Sequence, residues 1–135
     1  MLVALIKNDN NSLLVQFPCK DDLLQDHLGS IGITEPAQNV YLGSDVYDIE
    51  LKSSGEEVSK MLVPLFDKNN SIKMVNEVAK AVFRSDFRVF DRVKGNLEQG
   101  RYKTPDDVLY DAHGYAKDLK IKNKDHEKKN RDYER

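Results

Sequence analysis

The sequence predicts a small α+β domain, with an antiparallel sheet in the first half and a cluster of helices in the second. Two apolar segments near the amino terminus flank a cluster of turn-forming residues, which is typical of a β-hairpin. In the second half, apolar residues recur at helical spacing in three successive segments. A length of 135 residues is that of one ordinary domain with a single core.

The amino-terminal part predicts a hairpin followed by a helix. Residues 2–6 and 13–17 are the apolar segments, and the residues between them tolerate turn conformations. A proline ends the second strand. Apolar residues then recur at helical spacing, acids lie in the first turn and Gly32 provides a stop, so we expect a helix over about 21–30.

The middle of the chain predicts one or two further strands. Residues 39–42 and 46–51 flank a Gly-Ser-Asp turn, and the second run alternates acidic with apolar residues. Because successive side chains of a strand point to opposite faces, Asp48 and Glu50 should share one solvated face. Residues 56–66 are compatible with a short helix, but Pro64 lies inside them and leaves that assignment open.

The first of the three later helices is expected over residues 71–83, with Asn70 as its cap. Asn76 lies on the apolar stripe of this helix. Burying an amide without hydrogen-bond partners costs about 1–3 kcal/mol. We therefore expect Asn76 to be a structural residue that bonds groups where neighbouring elements meet.

The two remaining helices have recognisable starts. The second is expected to begin at Ser85, whose hydroxyl would cap it, with Phe87 on its apolar stripe and Gly100 at its end. The third opens with Thr-Pro-Asp-Asp at 104–107, which combines a capping hydroxyl, a proline in the first turn and acids near the positive end of the helix dipole. Its predicted inner face consists of Val108, Leu109, Ala112, Tyr115, Ala116 and Leu119.

The composition argues against several classes of protein. No apolar run approaches the roughly 18–20 residues of a membrane span, so we expect a soluble, cytoplasmic protein. Cys19 is the only cysteine, which excludes an internal disulfide, and no histidine has a second ligand at metal-binding spacing. Motifs for phosphate binding or nucleophilic catalysis are lacking. We expect no enzymatic activity, cofactor or metal.

Charge is distributed unevenly along the chain. The net charge is −2, but residues 1–60 contain ten acids against four lysines, a net charge of −6. A turn, an alternating strand and the following loop carry five acids that are candidates for one surface: Asp45, Asp48, Glu50, Glu56 and Glu57. The alternative interpretation is an ordinary solvated strand face.

Residues 120–135 mix both signs of charge and contain few apolar residues. We therefore expect a domain over 1–119, followed by a charged tail that is flexible or extends the last helix. Lysines in the tail suit phosphate contacts, but the interleaved acids would repel the same phosphates, so direct nucleic-acid binding is the weaker hypothesis.

Several short motifs occur in an order that resembles the ArdA antirestriction family. Leu-Val-Gln-Phe-Pro at 14–18 and Ile-Gly-Ile-Thr at 31–34 resemble that family's first strand and the turn after its first helix. The remaining similar segments are the acidic strand at 46–50, the helix at 71–79 and the closing helices around Phe90, 97–100 and 107–109. The similarity covers about residues 13–119. The chain differs from the family at 110–114 and in its small net charge.

The resemblance implies a non-enzymatic protein of a mobile element or phage that inhibits a host defence complex. Its acids would substitute for phosphates in a basic channel of a restriction-modification complex or a CRISPR effector. The implied contacts are the five acids named above, with a second patch of Asp21, Asp22 and Asp26. Two other classes stay open: a protein-interaction module without mimicry, including a homodimer, and a nucleic-acid-binding accessory protein acting through residues 117–135.

Overall fold

The computed structural model describes the backbone of residues 1–133 and the side chains of residues 1–121. It confirms the α+β class: a three-stranded antiparallel sheet is covered on one face by helices. The strands are β1 (Leu2–Asn8), β2 (Asn11–Phe17) and β3 (Asp48–Ser53), and they lie in the order β2-β1-β3.

Within residues 1–133, five α-helices and two short 3-10 helices make up most of the remaining backbone. The α-helices are α1 (Asp21–Ser30), α2 (Glu57–Leu62), α3 (Ile72–Phe83), α4 (Phe87–Glu98) and α5 (Pro105–Tyr133). The 3-10 helices are Ala37–Asn39 and Val63–Leu65. Among these described helices, none combines the length and the apolar character needed to cross a membrane.

The hairpin and the first helix confirm the prediction. β1 and β2 pair in register from Leu2 opposite Phe17 to Asn8 opposite Asn11, with a two-residue turn between them. Alternate residues of β1 are buried under the helices, whereas those between them lie on the outer face. α1 occupies the expected residues and is followed by Gly32, whose φ of +83° suits a glycine.

Of the one or two further strands predicted in the middle of the chain, one forms, and residues 39–42 are not part of the sheet. Asn39 ends a 3-10 helix, and within this stretch only Tyr41 forms a bridge, to Ser71. The N–H groups of Leu42 and Gly43 donate to carbonyls in the loop before α3, at 2.9 Å each. Because these two N–H groups already have partners in the loop, they are not available to pair with a strand.

The strand predicted over residues 46–51 begins two residues later than expected. The Ser44 hydroxyl accepts the N–H groups of Val46 and Tyr47, at 3.1 Å each, and holds them in a turn. The open assignment at 56–66 resolves into α2 followed by a 3-10 helix that contains Pro64. Proline is tolerated in the first turn of a helix because its missing N–H would have no partner there.

Two predicted caps are each wrong by one residue. α3 is capped by Ser71, which accepts the N–H of Met74 at 3.1 Å, whereas the side chain of Asn70 accepts the N–H of Asp67. α4 is capped by Asp86, which accepts the N–H of Arg88 at 2.9 Å, and not by Ser85. In both cases the predicted cap is followed directly by another residue that can cap a helix, Ser71 after Asn70 and Asp86 after Ser85. The later residue of each pair is the one that caps the helix.

The core lies between the sheet and the helices, with α3 at its centre. The fully buried side chains of α3 are Ile72, Val75, Asn76, Val78 and Ala79. α5 packs on α3 through its predicted inner face. The last buried side chain of α5 within residues 1–121 is that of Leu119. On α4 the buried residues are Val89 and Val93, whereas Phe87, expected inside, is 72% exposed.

Candidate functional site

All five predicted contact acids are exposed, and we call this set the acidic strip (Asp45, Asp48, Glu50, Glu56 and Glu57). Asp45 lies in the loop before β3, and Glu56 and Glu57 lie at the start of α2. Asp48 and Glu50 alternate with half-buried residues of β3, so both point to the outer face of the sheet.

Cations surround the acidic strip, and this feature was missed at the sequence level. Lys52 Nζ lies 3.6 Å from a Glu50 oxygen and Lys94 Nζ lies 3.8 Å from a Glu57 oxygen. The amino group of Met1 contacts Glu56, and Lys7 lies opposite Asp48 in the pairing of β1 with β3. Sequence spacing does not show Met1, Lys7 and Lys94 as neighbours because they are distant from the acids along the chain, whereas Lys52 is only two residues from Glu50.

Asp45 and Asp48 differ from the other three acids of the strip. Within residues 1–121, neither carboxylate has a lysine, arginine or terminal nitrogen within 4 Å. Asp45 lines a surface depression of about 530 Å³ together with Glu35 and Tyr47. The Tyr47 hydroxyl donates to Glu35 at 2.7 Å, which lowers the pKa of that carboxyl and raises the pKa of the tyrosine. Glu35 thus adds an ionised acid beside Asp45.

The second predicted patch divides into two parts. Asp21 accepts from Lys80 Nζ at 2.7 Å and from Asn76 Nδ2 at 3.2 Å, and the hydrogen bond from Lys80 lowers the pKa of Asp21. It therefore ties α1 to α3. Asp22 and Asp26 are exposed on α1 and line an open groove beside β2.

Asn76 joins α3 to the connection between β2 and α1. Its Oδ1 accepts the N–H of Cys19 at 3.0 Å, and its Nδ2 donates to the Cys19 carbonyl at 2.9 Å. The side chain is fully buried. The prediction of a buried amide that bonds neighbouring groups is confirmed, and the bonded groups belong to the main chain of a distant segment.

A polar cluster between α4 and α5, which we call the Asp111 cluster (Arg92, Asn96, Tyr102 and Asp111), was not predicted. The Asp111 carboxylate accepts from Arg92, from Asn96 and, at 2.6 Å, from the Tyr102 hydroxyl. Burial opposes ionisation of Asp111, but the hydrogen bonds from Arg92 and Tyr102 outweigh it and lower the pKa. Burial and the bond to Asp111 raise the pKa of Tyr102 to about 12.

Among the described residues, no metal-binding group is assembled. Within residues 1–121, no three His, Cys, Asp or Glu side chains are placed to hold a metal ion. In the predicted nucleic-acid-binding segment, Lys117 and Lys120 are exposed, and the side chains after residue 121 lie outside the described residues. Comparison of the chain with protein-family models, with curated proteins and with solved structures found no match.

Proposed function

We propose that this chain is a non-enzymatic anti-defence protein that binds a host restriction-modification or CRISPR complex through the acidic strip. The observation that supports it most is the exposed row of Asp45, Asp48 and Glu50 along one sheet edge. Alternate residues of a strand lie about 7 Å apart, so Asp48 and Glu50 present neighbouring charges on one face. A row of carboxylates suits a basic channel built for DNA phosphates.

The cations around the acidic strip determine how such binding would proceed. Asp45 and Asp48 are available for first contacts, whereas Glu50, Glu56 and Glu57 must exchange a neighbouring cation for one on the partner. The exchange costs little, because exposed ion pairs are worth only about 0–1 kcal/mol. Affinity should therefore depend on several acids together and fall as salt concentration rises.

The test changes the whole acidic strip at once, to Asp45→Asn, Asp48→Asn, Glu50→Gln, Glu56→Gln and Glu57→Gln. This variant should fold like the parent but no longer capture a restriction-modification or CRISPR complex from a host lysate. A control variant replaces four exposed acids of α4 and α5 with amides: Asp91, Glu98, Asp106 and Asp118. The control should retain capture, and a separate Asp22→Asn, Asp26→Asn variant tests the second patch.

A protein-interaction module without DNA mimicry is the second candidate, and the charge balance of the strip favours it. Four cations, on Met1, Lys7, Lys52 and Lys94, accompany the five acids. Binding of this kind would depend on packing and so would change little with salt. If the five-fold variant captures its partner as well as the parent does at physiological salt, mimicry is wrong and this function replaces it.

A further inference from the structure

The edge strand β2 has a free side next to open space. No strand lies beyond β2 in the backbone of residues 1–133, where the sheet order is β2-β1-β3. A groove of about 880 Å³ runs between β2 and α1. Leu14 of β2 and Leu23 of α1 line it and are 64% and 46% exposed. The groove therefore places two exposed leucines beside unpaired main-chain groups, and the charged residues Lys20, Asp22 and Asp26 also line it.

Strand register shows which main-chain groups face outward. The Met1 carbonyl accepts the N–H of Ser54 on the β3 side of β1, at 3.0 Å. Because bonding direction alternates along a strand, the odd residues of β1 bond β3 and the even residues bond β2. The even residues of β1 pair with the odd residues of β2. The N–H and C=O groups of the even residues of β2, which are Ser12, Leu14 and Gln16, therefore point to the free edge.

The two edges of the sheet differ in their protection against pairing. β3 carries Asp48, Glu50 and Lys52 on its outer face. β2, with the sequence Asn-Ser-Leu-Leu-Val-Gln-Phe, has neither a charged residue nor a proline. Natural proteins block exposed edges with charges, prolines or bulges, and an edge without them readily pairs with another strand.

We propose that two copies of this chain pair antiparallel through β2, on a two-fold axis at Leu14, and form one continuous six-stranded sheet. In this register Leu14 faces Leu14 of the second copy, Ser12 faces Gln16 and Leu13 faces Val15. Over residues 12–16, apolar residues thus meet apolar residues and polar residues meet polar ones, whereas Asn11 faces Phe17 at each end, and no pair contains a charge. Ser12, Leu14 and Gln16 of each copy exchange main-chain hydrogen bonds. A second copy is the occupant because the strand complements itself on both faces.

Sedimentation equilibrium of the full chain over a range of concentrations tests this pairing. The apparent mass should rise from 15.5 kDa towards twice that value. Leu14→Lys places two like charges opposite each other on the axis and should raise the dissociation constant at least about tenfold. Tyr110→Lys adds the same charge at a position on α5 that is 86% exposed and should leave dimerisation unchanged.

Hydrogen exchange provides a second measurement on the unmodified chain. The amides of Leu13 and Val15 bond β1 and should be protected at every concentration. Those of Ser12, Leu14 and Gln16 should become protected only when the dimer forms. A monomer at all concentrations, a dimer unaffected by Leu14→Lys, or fast exchange of these three amides in the dimer would each overturn the proposal. Because β2 and β3 are opposite edges, these outcomes are separate from those for the acidic strip.

Discussion

A single amide determines how the sheet connects to the first helix. Asn76 satisfies both main-chain groups of Cys19 inside the core, where water does not reach them. Buried main-chain groups without partners are rare because each costs free energy comparable to a lost hydrogen bond. The side chain is thus required for burial of the β2–α1 connection, although it lies 57 residues away along the chain.

Replacing Asn76 with alanine or leucine should lower the free energy of unfolding by about 2–4 kcal/mol, since two main-chain groups lose their partners. Denaturant unfolding measures this change. Asn69→Ala, at an exposed position, should change the stability by less than about 0.5 kcal/mol. Equal effects of the two substitutions would show that the bonds to Cys19 contribute no more than an exposed residue does.

Tyr102 should make the protein sensitive to alkaline pH. Its pKa is about 12 in the folded chain against an ordinary value of 10, so the folded state holds this proton more tightly. Its contribution is fully present below pH 10 and is lost as pH rises from 10 to 12, about 2–3 kcal/mol in total. Tyr102→Phe should cost about 1–2 kcal/mol at neutral pH and flatten this alkaline decline.

Unfolding free energies measured from pH 8 upward, as differences between variant and parent, isolate the effect of Tyr102. Tyr110→Phe is the matched control because that side chain is 86% exposed. The prediction fails if Tyr102→Phe and the parent lose the same stability between pH 10 and 12.

Among the elements, α5 shows how far the core extends towards the carboxyl terminus. Leu119 is 8% exposed and Ile121 is 50% exposed. Truncation after Leu119 should leave the melting temperature nearly unchanged, because the removed part has only Ile121 and Tyr133 as large apolar residues. Leu119→Ala should instead cost about 2–3 kcal/mol. A large drop on truncation, measured by thermal unfolding, would show that residues 120–135 pack on the core or on a second copy.

Elements with a local signal were predicted well. The hairpin followed from its apolar runs and turn residues, and the start of α5 from Thr104 and Asp107, which bond each other's main-chain groups. Residues 39–42 were a candidate for a second further strand, and they stay outside the sheet because their partners lie in a loop about 30 residues later. Phe87 was placed inside α4 because periodicity alone does not show which face of a helix meets the core.

At the scale of the whole molecule, the two edges of the sheet have different chemistry. One carries the acidic strip and its cations, whereas the strand at the other edge is uncharged and lies beside a groove lined by both apolar and charged residues. The exposure of Asp48 and Glu50 on one face of β3 followed from sequence alternation. The compensating cations and the open groove depend on contacts between distant segments, such as Lys94 with Glu57, which no local pattern records.

The bonds between Asn76 and Cys19 also give the protein an intrinsic reporter. Cys19 is the only cysteine, its side chain is buried, and burial raises the pKa of its thiol. Alkylating reagents react with the thiolate, so labelling of the native chain requires local opening of the β2–α1 connection. The labelling rate would therefore measure how often this connection opens, without the introduction of an engineered cysteine.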